Sequence, residues 1–330
     1  MSAVLPNSAG LLMLPHLRIQ NANAISSPAT HGFPSMTAFL GLMWALERRL
    51  KGRSLPIVFD SVGVICHDYQ ELSTEGGYTQ AFRLTRNPVG RDGGTAAIVE
   101  EGRIHLELTL VFGVSGGFSQ LDAESRQVLA STVAEVVAGM RVAGGSVIPA
   151  NAPGWQPRPV LEVLADDAND AAARFRQLRR KWLPGFALVC RDDLLRQRTE
   201  RLQSADSSAT ALDAWLDLSR FNWKPEAVEE GGDSGAKPKV QWQHDRTEGW
   251  IVPIPVGYGA LSRHAPGEVA NARDPSVPFA FVESLYSIGQ WIGPHRLNSW
   301  RDLLWYSHTE PESGLYRVRN DYAPAAATAA

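Results

Sequence analysis

Apolar positions along this chain fall into a strand and helix succession that changes character near residue 150. Leu17 to Ile25 reads as a strand. After Ser35, which suits a helix N-cap, Met36, Phe39, Leu40, Met43, Leu46 and Leu50 keep helical spacing as far as Gly52. Ile57 to Cys66 is rich in β-branched and aromatic residues, as strands are. Ile104, Leu106, Leu108 and Leu110 alternate with His105, Glu107 and Thr109, the pattern of a strand with one face buried. Asp122 then caps a helix carrying Val128, Leu129, Val133, Val136, Val137 and Met140, and Gly144-Gly145 leads into a short strand from Ser146 to Pro149. Strand, helix, strand, strand, helix, strand is the order of an α+β, RRM-like or ferredoxin-like antiparallel sheet, with both helices on one face and the other face free.

Between the two central strands, residues 69–102 form a long insertion. Arg83, Arg86, Arg91 and Arg103 are set among Gly90, Gly93 and Gly94, so it is expected to project as a basic hairpin. The third strand lacks the aromatic signature that stacks bases on an RRM sheet. Residues 1–150 are thus expected to form the RRM-like body, with 151–330 an irregular, more helical part packed on it. In that second part Arg174 to Lys181 is a basic segment, Phe186 to Cys190 an apolar strand, and helices are expected near Leu194 and Leu212. Residues 226–240, charged and Gly-rich with Pro238, suit a mobile surface loop. Trp250 to Pro255 is strand-like. Phe281, Leu285, Ile288, Trp291 and Ile292 suggest a helix, and Leu303, Leu304 and Trp305 a second.

Composition narrows the chemistry. With 330 residues, 44% hydrophobic and 20% charged, the chain can bury an ordinary core. A net charge of -3 argues against a broad basic surface that coats long nucleic acid, while leaving room for a short basic groove. Two distant cysteines, Cys66 and Cys190, make neither a disulfide framework nor a zinc spacing, which fits a reducing cytoplasm. No signal-like start or membrane-length apolar run is present, and no metal or nucleotide cofactor is implied.

Gly113-Val114-Ser115-Gly116-Gly117 fits the G-x-S-x-G nucleophile elbow, with His244, His264, His295 and His308 as candidate bases. An elbow runs directly from strand into helix, whereas Phe118 to Leu121 intervene here, so a glycine turn is the stronger reading. His105-Leu106-Glu107 resembles half of a zinc-deaminase signature whose paired cysteines are missing.

The segment from Arg18 to Pro28 is dense in amides and hydroxyls. Asn21 and Asn23, and beside them Ser26 and Ser27, either meet a ligand's polar edges or satisfy their own loop backbone. In Arg141-Val142-Ala143-Gly144-Gly145-Ser146, glycine amides suit close approach to a phosphate with Arg141 adding charge, and equally a helix C-cap and turn. Arg174, Arg176, Arg179, Arg180 and Lys181 are either a solvated helix face or a nucleic-acid contact, with Phe175 and Trp182 as anchors.

These residues resemble a known family, the subunit of the type I-F CRISPR surveillance (Csy) complex that holds the 5′ handle of the guide RNA. The resemblance spans nearly the whole chain, through Ile19 to Pro28, Leu84 to Pro88, Thr95 to Arg103, Ala143 to Ser146, Leu183 to Val189, Val252 to Pro255, Pro266 to Val269, Asn271 to Asp274 and Asp302 to Tyr306. It implies an RRM-like body with a protruding hairpin, a glycine-rich loop against the RNA backbone, and pairing with the large subunit. Asn21, Asn23, Ser26 and Ser27 become handle-contact candidates, Arg86 and Arg91 hairpin contacts, Gly144, Gly145 and Ser146 with Arg141 the backbone cradle, and Arg174, Arg179, Arg180 and Lys181 further nucleic-acid contacts. The implied partners are guide RNA, the large and backbone subunits, and target DNA near Arg174 to Lys181. No homo-oligomer, membrane or catalysis is implied. A metal-independent endoribonuclease acting on repeat RNA through a His or Tyr is the alternative, and a serine hydrolase at Ser115 a third reading.

Overall fold

The computed structural model describes residues 4–84, 89–90, 92–98, 100–149, 158–165, 167–228, 239–244 and 249–324. The first half runs β1 (Gly10–Asn23), β2 (Ile25–Ser27), β3 (Thr30–His31), α1 (Met36–Leu50), β4 (Val58–Glu71), β5 (Ser73–Gly76), β6 (Thr79–Phe82), β7 (Arg103–Ser115), α2 (Ala123–Ala138), β8 (Arg141–Val142) and β9 (Gly145–Ile148). The second half runs β10 (Val160–Val163), α3 (Ala168–Leu178), β11 (Phe186–Cys190), α4 (Asp192–Ala205), α5 (Ala211–Leu218), β12 (Trp223–Val228), β13 (Lys239–His244), β14 (Ile251–His264), β15 (Phe279–Ile292), β16 (Trp305–Glu310) and β17 (Leu315–Asn320). Among the described residues eleven strands make one antiparallel sheet, and the fold is α+β.

The first half places its strands in the order β9–β1–β7–β4. Helix α1 starts at the expected cap, where Ser35 Oγ accepts the Thr37 amide, and its six apolar positions are all buried. Asp122 likewise caps α2 by accepting the Ser125 amide at 2.7 Å. Strand β1 begins seven residues before the expected Leu17, because Leu11 to Leu14 are buried on both faces and show no alternation to read. One core, holding Leu12, Leu14, Leu110, Phe112, Val62 and Val64, lies under α1 and α2. A second, holding Leu11, Met13, Val111 and Ile65 with Phe175, Trp182, Trp300 and Leu303, covers the opposite face.

The second half is not the irregular helical part that its pattern suggests. Phe281 to Ile292 lies in strand β15, paired along its length with β14, and Leu303 and Leu304 follow a short 3-10 turn before Trp305 opens β16. The misreading has a physical source. The inner end of β15 is buried on both faces from Ser287 to Ile292, while its outer end stands clear with Phe281 half exposed, so its apolar spacing is not that of a half-buried strand. The ends of the expected 226–240 loop are paired strands, up to Val228 and from Lys239, and the residues between lie outside the described ones. The strand at Phe186 to Cys190 and the helices at Leu194 and Leu212 stand where the sequence puts them.

Strand β11 pairs with both β15 and β4, so β4, β11, β15, β14, β17 and β16 close into a ring of pairing. Trp305 is fully buried there, its indole N–H donating to the Leu188 carbonyl at 2.9 Å. Among the described residues no helix is long and apolar enough to cross a membrane. Trp305→Phe keeps most of the buried area but leaves the Leu188 carbonyl without this donor. It is expected to lower the unfolding free energy by about 1–3 kcal/mol, read as an earlier urea midpoint.

Candidate nucleic-acid interface

Two β-bulges shape the end of β1. Its register against β7 shifts between Leu14 and Leu17 and again between Ile19 and Ala22, and the positive-φ residues His16 (φ 53°) and Asn21 (φ 57°) sit at these shifts. Each extra residue resets the alternation, so Leu14, Leu17, Ile19 and Ala22 all reach the helix-covered core despite their uneven spacing. Arg18 and Gln20 consequently face the opposite, open side. The Asn21 amide, freed from the ladder, donates to His105 Nδ1 at 3.1 Å.

The polar side chains that follow serve mainly their own loop. Asn23 donates to the Ile25 carbonyl at 2.7 Å and accepts the Ile25 amide at 3.1 Å. Ser26 and Ser27 both bond Thr30 Oγ1, and Ser27 is buried. Asn21 stands exposed.

The β8–β9 hairpin lies against this stretch. Ala143 and Gly144 occupy its turn with φ of 48° and 81°, the paired positive values of a type I′ turn. A Cβ on Gly144 would meet open space, whereas one on Gly145 would come within 2.7 Å of Ile19 Cγ2 and 2.8 Å of the Ala22 nitrogen. Gly145 is therefore needed for close packing on β1, and Gly144 for the turn itself. The Asn23 amide donates to the Ala143 carbonyl at 2.9 Å, Gln20 pairs with Ser146, and Arg141 donates to Ser146 Oγ at 2.6 Å. The two segments singled out in the sequence thus form one surface.

Beside it the open sheet face holds a polar cleft of about 250 Å³, lined among others by Arg18, Gln20, Asp68, Tyr69, Gln70, His105 and Glu107. Sequence reasoning did not assemble this cleft, although its signal was present in the polar phase of the third strand, His105 and Glu107. Next to Glu107 of this lining, His16 and His67 stack with ring centroids 4.0 Å apart. His16 Nδ1 lies 2.6 Å from Glu107 Oε1. His67 Nδ1 donates to the Pro184 carbonyl at 2.6 Å, which leaves Nε2 of the neutral ring to accept from the Thr109 hydroxyl at 2.7 Å. Burial holds the His67 pKa below its ordinary value, helped by the neighbouring His16 and opposed by the Pro184 carbonyl.

The other candidates lie apart. Arg174 grips both carboxylate oxygens of Glu162, at 2.7 and 3.0 Å, on β10, which pairs with the opposite end of β1 from the hairpin. Arg179 donates to the Leu297 carbonyl, while Arg180 and Lys181 are exposed over the buried anchors Phe175 and Trp182. Arg86 and Arg91 lie outside the described residues; at the root of their insertion, β5 and β6 form a separate two-stranded ribbon. Ser115 donates to Asp60 Oδ1 at 3.2 Å, a carboxyl whose pKa burial raises, and a 3-10 turn separates it from α2. His244, His264 and His308 are engaged elsewhere, with Phe221 and Trp223, Ser262, and Glu310 respectively, and His295 lies in a 3-10 turn after β15. Among the described residues no group of three or more His, Cys, Asp or Glu is placed to hold a metal.

Comparison with known proteins decides the family. The model of the CRISPR-associated protein family Cas_Csy2 matches residues 12–318. The chain is also 49% identical to CRISPR-associated protein Csy2 of Pseudomonas aeruginosa (strain UCBPP-PA14) over 316 residues, which is 93% of this chain and 94% of that one. The chain belongs to the Csy2 family. Csy2 proteins are Cas5-like subunits of the type I-F Csy complex, and the sequence resemblance pointed to that family.

Two outcomes follow from this geometry. Gly145→Val is expected to lift the hairpin from β1 at a cost of about 1–3 kcal/mol, seen as faster amide exchange in residues 141–148 with the core unchanged. For His67 the depressed folded pKa means that the unfolded chain binds more protons below pH 6.5. Its contribution to stability is present above pH 6.5 and is lost as pH falls from there through the lowered folded value. His67→Gln should therefore show a smaller fall in Tm between pH 7.5 and 5.5 than the parent protein.

Proposed function

We propose that this Csy2-family chain is a non-catalytic subunit that grips the 5′ handle of the CRISPR guide RNA and pairs with the large subunit, capping one end of the type I-F antiviral complex. The observation that carries this reading is the meeting of the β8–β9 turn with Gln20 to Asn23, beside the polar cleft. A splayed single strand needs just such a combination: backbone amides and a guanidinium for phosphate, and amide and imidazole groups for base edges. The β9–β1–β7–β4 order supports an RRM-like body, with α1 and α2 on one face and the cleft on the other.

In this reading Asn21, Arg141 and the Gly144 turn meet the RNA directly. Asn23, Ser26, Ser27, Gly145 and Ser146 hold the surface in shape through the bonds and contacts described above. Arg86 and Arg91 contact the guide from the insertion, and Arg180 and Lys181, exposed in the basic segment, contact target DNA. The cleavage alternative draws little support from His67, whose two ring nitrogens are already committed.

Co-expression with the large subunit and a repeat-derived guide, followed by purification and a denaturing gel, tests the reading. The expected product is a stoichiometric protein pair that retains guide only when the 5′ handle is intact. Arg141→Ala should reduce that retention on the order of tenfold, the loss of one charge-assisted hydrogen bond to phosphate. Repeat RNA shortened by the purified chain alone would establish the ribonuclease instead.

A further inference from the structure

A groove of about 340 Å³ lies where the β2–β3 hairpin, the end of β4 and the start of β14 meet. One wall is a continuous run of aromatic rings. Phe33 stands edge-on to Trp291 at 4.8 Å, Trp291 lies 6.0 Å from Trp250, and Trp250 packs edge-on to Phe186 at 5.3 Å. Trp250 and Phe186 nonetheless remain 46% and 45% exposed, and Tyr69 on the β4 side 57%. Large aromatic surfaces held rigidly around a concavity are what interface anchors insert into.

Charge selects the occupant. Among the described residues lining the groove are two carboxylates, Asp68 and Glu71, and neither Lys nor Arg. His31 lies 3.1 Å from Glu71, and Asp68 accepts only its neighbour's amide among the bonds described at its carboxylate. A phosphodiester strand entering here would bring its charge against these carboxylates with neither Lys nor Arg in the lining to receive it. An apolar side chain flanked by a cation would gain from both the aromatic wall and the acidic rim. The surface across the end of β4 also carries carboxylates, Asp68 and Glu107, but it has the guanidiniums of Arg18 and Arg141 beside them, which the groove lacks.

We propose that this groove docks a segment of another protein of the assembly, one that presents a large apolar or aromatic side chain with a Lys or Arg beside it. The inference rests on the reading of the chain as a complex subunit, and adds a surface and a partner chemistry to it. Because Asp68 and Tyr69 border both the groove and the polar cleft, the docked segment abuts the RNA surface.

The test places the photo-crosslinker p-benzoyl-L-phenylalanine at position 186 in place of Phe186, and separately at position 250 in place of Trp250, in complex co-expressed with and without guide. Retention of the guide is scored before irradiation, so failure of the handle reading is seen independently of the groove. Mass spectrometry then identifies the adduct. The proposal expects, from at least one position, a peptide of another subunit with an apolar residue next to Lys or Arg, and an adduct yield falling about tenfold when Glu71→Lys is added. An adduct to nucleotide, no adduct from either position, a peptide without a basic residue, or a yield indifferent to Glu71→Lys would overturn it.

Discussion

The central strands of the main sheet are packed under two helices on one face and only partly covered on the other, and most of what this protein presents follows from that inequality. Under α1 and α2 the apolar side is buried from Leu12 to Ala22 of β1, Phe59 to Cys66 of β4 and Ile104 to Val114 of β7. On the reverse side, Phe175, Trp182, Trp300 and Leu303 reach only as far as Val111 and Ile65. Beyond that line the same strands turn their reverse side to water, and there Arg18, Gln20, Asp68, Gln70, His105 and Glu107 gather. Thr109, buried and polar, stands at the boundary with the two stacked imidazoles, giving the edge of the second core hydrogen-bonded partners where apolar packing stops.

Such a boundary requires the strands to change phase without losing their hold on the first core. The bulges at His16 and Asn21 accomplish this on β1, and β4 carries its own shifts between Phe59 and Ser61 and between Cys66 and Asp68. A bulge also frees backbone groups from the ladder. The amide of Asn21 is turned in this way toward His105, tying the strand end to the cleft. The feature that keeps the core intact also shapes the surface beside it.

The first half was legible because its helices are capped and carry apolar residues at helical spacing, so Ser35, Asp122 and the positions after them mark their place, although Val128 of α2 faces solvent. Burial of Leu11 to Leu14 on both faces hid the start of β1, and its bulges break the two-residue period on which strand recognition depends. In β15 burial on both faces at one end combines with exposure at the other, which leaves no amphipathic signal. The asparagine, serine and glycine segments were visible as chemistry. Their meeting was not, because it depends on the pairing of Gln20 with Ser146 across more than a hundred residues of chain. The division of labour within them was likewise hidden, since only geometry separates Asn21, exposed, from Asn23, Ser26 and Ser27, which bond their own loop.

The ring that joins β11 to both β15 and β4 removes one open margin of the main sheet. At the far margin the strands are cut short, two residues in β8 and four each in β9 and β10. A long, flat row of unpaired amides and carbonyls is the template on which proteins stack into unwanted fibrils. A subunit made for assembly must persist for a time before its partners arrive, and the closure at one margin together with the brevity of the other gives this chain a safeguard against polymerising with itself in that interval.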